Sequence, residues 1–178
     1  TNHRAVMSDL EGSISKEAKR GLDVNIANMG AEQFEAQIRF DTILAKLKDS
    51  TQRIVAEYNG KIRARGQDVQ LRAIESDDRS TIMKGVAATD EMIVNIQATI
   101  ETAVQDAIEA EILTSEYNKM DATERANHKN QIRKDIGEAF DAQIKSQQAL
   151  RKRLMAKFAA ALDQLPGGGF GNAQSTSP

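Results

Sequence analysis

KGVAATDEMIVNIQATIETAVQDAIEAEILTSEYNK, residues 84–119, is the stretch whose reading decides the fold. Between Lys84 and Lys119 there is no other Lys or Arg, whereas seven acids occur: Asp90, Glu91, Glu101, Asp106, Glu109, Glu111 and Glu116. Val86, Ile93, Ile100 and Ala107 recur at every seventh residue, and Thr89, Ile96, Ala103 and Ala110 form a second row three positions on. Two apolar rows spaced three and four apart describe a long helix packed against other long helices.

The flanking segments share the helical pattern with the opposite charge. Residues 38–74 carry a net +4 and residues 119–165 a net +4, against −7 for residues 85–118. An acidic helix between two basic ones has complementary flanks wherever they pack. Exposed ion pairs contribute only ~0–1 kcal/mol each and are screened by salt, so they select register and partner more than they stabilise. Stability comes from burying the Ile, Leu and Val rows, at about 25 cal/mol per Å².

The rest of the chain follows from this helix. Phe34, Ile38, Leu44, Leu47, Ile54, Tyr58 and Ile62 fall at helical spacings, with Phe40, Leu47 and Ile54 seven apart, and predict one helix over residues 31–75. Glu75 to Ser80 is the expected reversal, with Ser76 or Ser80 as cap and Asp77 and Asp78 favouring the positive N-terminus of the next helix. That helix is expected over residues 80–117. Asp121-Ala122-Thr123-Glu124 is a variant capping box and opens a last helix over residues 121–165. Its stripe runs through Ile132, Ile136, Phe140, Ile144, Leu150, Leu154 and Phe158. The only prolines are Pro166 and Pro178, so residues 1–165 hold no strong helix breaker. Aromatics are only 4% of the chain with no Trp, which suits helix packing over a β-sandwich.

The expected fold is therefore all-α, an elongated bundle of three long helices (31–75, 80–117 and 121–165). Residues 1–30 form a shorter, irregular N-terminal helical arm, where Ile14, Ala18, Leu22 and Ile26 step by four but Gly12, Gly21 and Gly30 interrupt. Residues 166–178 form a Gly-rich tail with linker composition. The chain opens on Thr1 rather than Met, so a processed or trimmed start is expected. No apolar run approaches the ~20 residues that span a bilayer. There is no Cys, which excludes disulfides and thiolate metal sites.

Candidate chemistry is sparse. The only histidines are His3 and His128; Glu124 and His128 share a helix face, but no Glu-x-x-His of the di-iron bundle type occurs. No nucleophile elbow or phosphate-binding Gly-x-x-x-x-Gly-Lys-Ser/Thr is present. The scattered methionines, Met83 and Met155 among them, read as core fillers. Arg151, Lys152, Arg153 and Lys157 form a basic amphipathic contact patch that suits an acidic helix of this chain or of a neighbouring copy ahead of nucleic acid or a lipid surface. The net charge of −2 argues against a general nucleic-acid binder.

The expected function is non-enzymatic, with no cofactor and no metal: a structural subunit of a homo-oligomeric assembly, of the virion internal, ejection-channel or secretion-filament type. Val86, Ile93, Ile96, Ile100, Leu47, Ile54, Ile136, Phe140 and Ile144 are its expected packing residues, with burial between protomers, and copies of itself and other assembly subunits its partners. The alternative is a helical sensor or adaptor domain of a signalling receptor, with a small-molecule pocket near the bundle end.

Overall fold

The computed structural model describes residues 30–163. The N-terminal arm and the Gly-rich tail lie outside them. The described residues form five helices and no strand: α1 (Ala31–Lys46), α2 (Asp49–Glu75), α3 (Arg79–Ile112), the single turn α4 (Ser115–Asn118) and α5 (Ala122–Asp163). At 1.5 Å per residue, the 42 residues of α5 extend about 63 Å. None of these helices is long and apolar enough to cross a membrane. The all-α bundle of long helices is as expected: α3 packs against both α2 and α5, so the acidic helix lies between its basic neighbours.

Two differences appear: the helix expected over residues 80–117 ends at Ile112, with Ser115–Asn118 a separate turn capped by Thr114, and the larger one is at Leu47 and Lys48. The helix expected over residues 31–75 is two helices, separated by two residues in extended conformation. At the start of α1, Gly30 faces Arg153 of α5. At its end, Lys48 reaches Glu111, which also bonds His128 near the start of α5. α1 therefore runs antiparallel to α5. α2 starts at this end and finishes where Lys157 donates to the carbonyls of Ala73 and Ile74, parallel to α5. The chain reverses at residues 47–48 without Gly or Pro. A continuous helix would carry Phe34 and Phe40 beyond the bundle into water. Folding back buries both, at roughly 1.5–3 kcal/mol for each large apolar side chain removed from water, which exceeds the cost of one helix break.

The other connections obey local rules. α2 ends at Glu75, and Asp78 caps α3: its Oδ2 accepts from Thr81 N at 3.0 Å and Thr81 Oγ1 at 2.9 Å, and these bonds, the backbone one first, hold its carboxyl below the usual range. The cap is Asp78 and not a serine, although Ser76 Oγ accepts from Asp78 N. Asp121 opens α5, accepting from Glu124 N at 2.8 Å.

The interior is two apolar clusters separated by a polar layer. The larger contains Phe40, Val55, Ile96, Ile136 and Phe140; the smaller contains Ala73, Ile82, Val86, Leu150 and Leu154. Between them Gln70 Nε2 donates to Gln147 Oε1 (2.6 Å) and Thr89 Oγ1 (3.0 Å), and Thr89 donates to Gly85 O (2.8 Å). All three side chains are buried. This layer ties α2, α3 and α5 into one register, because any slip strands a buried amide without a partner.

Two helical glycines meet nothing: a Cβ on Gly60 or Gly137 has no atom within 4 Å. Gly60→Ala and Gly137→Ala are each expected to raise stability by about 0.5–1 kcal/mol through helix propensity and loss of unfolded-state freedom. Urea denaturation midpoints measure this; a lower midpoint for either variant contradicts it.

Candidate functional site

The nine expected packing residues all pack within one chain. Leu47, Ile96, Ile136, Phe140 and Ile144 are buried in the larger cluster, Ile54, Ile93 and Ile100 lie partly buried against it, and Val86 belongs to the smaller one. Most of their surface is buried within one chain, and Ile54, Ile93 and Ile100 keep a partly exposed side.

The basic segment of α5 is divided among its neighbours. Arg151 Nε donates to Asp90 Oδ1 of α3 at 2.7 Å, an exposed pair. Lys157 covers the last carbonyls of α2, the usual place for a cation at a helix C-terminus. Arg153 is half-buried beside Gly30, and burial lowers its pKa. Lys152 remains exposed on the α1 side. The four cations therefore do not share one surface.

Three elements meet at Glu111, the one buried carboxylate among the described residues. Glu111, at the end of α3, is only 2% exposed. Its Oε1 accepts from Lys48 Nζ at 2.9 Å and lies 2.8 Å from His128 Nε2; Lys48 also reaches Glu116 at 3.3 Å. Burial pushes the Glu111 carboxyl up, but the hydrogen bonds from Lys48 and His128, with their charges, hold it below the usual carboxylate range. The bond to Glu111 in turn raises Lys48. Tyr117, buried on α4, lies beside His128 with Arg125 over its ring. Arg125 also donates to the carbonyls of Tyr117 and Asn118, closing the turn. His128 thus pairs with Glu111 on another helix and not with Glu124 on its own. Among the described residues no group of three or more His, Cys, Asp or Glu stands close enough to hold a metal ion. The cluster joins three helices, and nothing in it leaves a nucleophile facing a general base.

Among the described residues two surfaces are candidates for contact with a partner. The first is the outer face of α3. Met83, Ala87, Val94, Ala98, Gln105 and Ile112 follow one line at spacings of four and seven, and all are exposed, Val94 at 60%. Glu91, Glu101 and Glu109 are exposed along it. Met83 and Met155, expected as core fillers, are exposed at 39% and 37%. The second is a groove of about 760 Å³ between α1 and α5. Phe34, Ala36, Ile38 and Ala149 form its apolar floor, with Arg39, Lys145 and Lys152 at its rim against Glu32 and Glu35. The signal for the outer face was present in the sequence as a third apolar row on α3, beyond the two that a buried helix needs. The groove depends on the fold-back of α1 and has no local signal. No protein-family model, curated protein or solved structure matches this chain.

Proposed function

We propose that the chain is a non-enzymatic structural subunit that acts by packing its helices against copies of itself, in an assembly of the virion internal, ejection-channel or secretion-filament kind. The observation that supports this reading is the outer face of α3: a mostly apolar line centred on Val94, 60% exposed, on a helix whose residues 85–112 hold six acids and no base. A single exposed apolar side chain is ordinary; Met83, Ala87, Val94, Ala98 and Ile112 exposed along one line of a long helix, with Gln105 the polar member, mark an interaction face. Sedimentation velocity across a concentration series tests the proposal. A shift to larger species with increasing concentration is expected, and a monomer at every concentration rejects it.

The sensor or adaptor reading has one observation in its favour, the groove between α1 and α5, whose volume falls in the range of small-molecule sites. It requires thermal stabilisation by a small ligand in a screen of metabolites, with no dependence on protein concentration.

A further inference from the structure

We propose that the outer face of α3 seats in the α1–α5 groove of a second copy, so that this chain assembles head to tail; the inference rests on the structural-subunit reading and adds the interface. Both surfaces are apolar along their centre. Ala87, Val94 and Ala98 are small side chains at helical spacing on an exposed ridge, and a ridge of this kind lets a helix settle deeply into a groove. The groove has the apolar floor that such a ridge needs, with Ile38 from α1 and Ala149 from α5.

They also complement each other in charge. The α3 ridge is flanked by Glu91, Glu101 and Glu109, and the helix carries no base from Gly85 to its end at Ile112. The α5 wall of the groove comes from a segment, residues 142–162, that holds five bases and no acid. Lys145 and Lys152 stand at that rim seven residues apart, about 10.5 Å along the helix. Glu101 and Glu109, eight residues apart, stand about 12 Å apart on α3. Among the described residues Lys145 pairs with Asp141 at 3.1 Å, an exposed pair within one helix that is readily exchanged. Glu32 and Glu35 on the α1 wall repel an acidic helix and set its position towards the α5 side, where Lys145 and Lys152 lie.

Among the described residues the two surfaces do not overlap. α3 packs on α2 and α5, and α1 packs on α5, so the ridge and the groove lie on different sides of the bundle. Because they are not the same patch, the contact is heterologous. It closes into a ring or continues as a filament according to its rotation.

The test uses the full chain and two variants at exposed positions. Val94→Gln/Ala98→Gln blocks the ridge by bulk and polarity without reversing its charge, and Lys145→Glu/Lys152→Glu blocks the groove. Circular dichroism checks that each is helical, and Ala98→Glu replaces the ridge variant if it is not. In sedimentation velocity the native chain is expected to assemble, less so at high salt. Each variant alone is expected to remain monomeric at those concentrations. An equimolar mixture of the two is expected to form a dimer and nothing larger, since each retains the surface the other lost. If both variants assemble like the native chain, the interface is elsewhere, and the inference fails while the function stands. If the mixture stays monomeric, the contact is isologous and the inference fails. If the groove variant assembles normally but melts at a lower temperature, residues 1–29 of the same chain cover the groove, and the inference fails. If the native chain is monomeric throughout, both the inference and the function fail. If a small molecule fills the groove and stabilises the chain without changing its size, the sensor reading replaces both.

Discussion

Gly85→Leu is expected to destabilise the bundle by about 3 kcal/mol or more, although glycine is the poorest helix former after proline. Three helices meet at Gly85. A Cβ placed there would lie 2.2 Å from the Cβ of Ala73 on α2 and 3.3 Å from Cδ1 of Leu154 on α5. Leu154 can rotate away, but Ala73 cannot, because its Cβ is fixed to the backbone of α2. Even Gly85→Ala must separate α2 from α3. It is therefore expected to lose about 1–3 kcal/mol by overpacking, where propensity alone predicts a gain of about 1 kcal/mol. The reciprocal change isolates the cause. Ala73→Gly removes the obstructing methyl, so in the double variant Gly85→Ala should cost far less, with a coupling on the order of 1–2 kcal/mol. Urea denaturation of the four chains measures the cycle. A neutral or stabilising Gly85→Ala would show that the helices do not cross this closely, and the polar layer just below, which uses the Gly85 carbonyl, would lose its register.

Gly85 also shows what a sequence conveys and what it conceals. Glycine in a helical pattern states a propensity cost and nothing about what lies opposite. A Cβ on Gly60 would face open space, one on Gly66 would come within 3.4 Å of Met92 and one on Gly85 within 2.2 Å of Ala73, yet the three look alike in sequence. The features that could be read were local. The seven-residue rows of α3 require only a count along the chain. The reversal between Glu75 and Ser80 and the start of α5 at Asp121 are capping events decided within four residues. The features that could not be read depend on distant groups. The break at Leu47 and Lys48 has no Gly or Pro because the packing of α1 on α5, with Phe40 in the larger apolar cluster, decides it. His128 had an obvious neighbour in Glu124, but α4 turns the chain so that Glu111, seventeen residues back, reaches it first. The basic segment at residues 151–157 read as one patch because its residues are consecutive. A helix distributes consecutive residues around its axis, and α1, α2 and α3 each take a share.

The largest electrostatic effect is expected at Glu111. Lys48→Met combined with His128→Leu removes both partners and leaves a carboxylate at 2% exposure without a counter-charge. The expected loss is about 3–5 kcal/mol near neutral pH, the usual range when one side of a buried pair is removed. The penalty belongs to Glu111, since Lys48 is half-exposed and pays little desolvation itself. Adding Glu111→Leu should restore most of the loss, because an apolar side chain of similar volume needs no partner at a site where α2, α3 and α5 converge. The dependence on pH separates this account from a simple packing defect. In the native chain the Glu111 carboxyl lies below its ordinary value. Its contribution is therefore complete above the unfolded carboxylate pKa and declines as pH falls through the folded one. In the double variant burial acts unopposed and raises the carboxyl above its unfolded value, so there acid relieves the penalty. The stability gap between the two chains must then narrow between about pH 7 and about pH 4. The raised Lys48 reports the same contact from its other side and adds no second increment. Urea midpoints at both pH values supply the measurement. A gap that is equal at the two would mean that Glu111 is not held as a paired carboxylate, and that the end of the bundle where Lys48, Glu111 and His128 meet is joined by apolar contact alone.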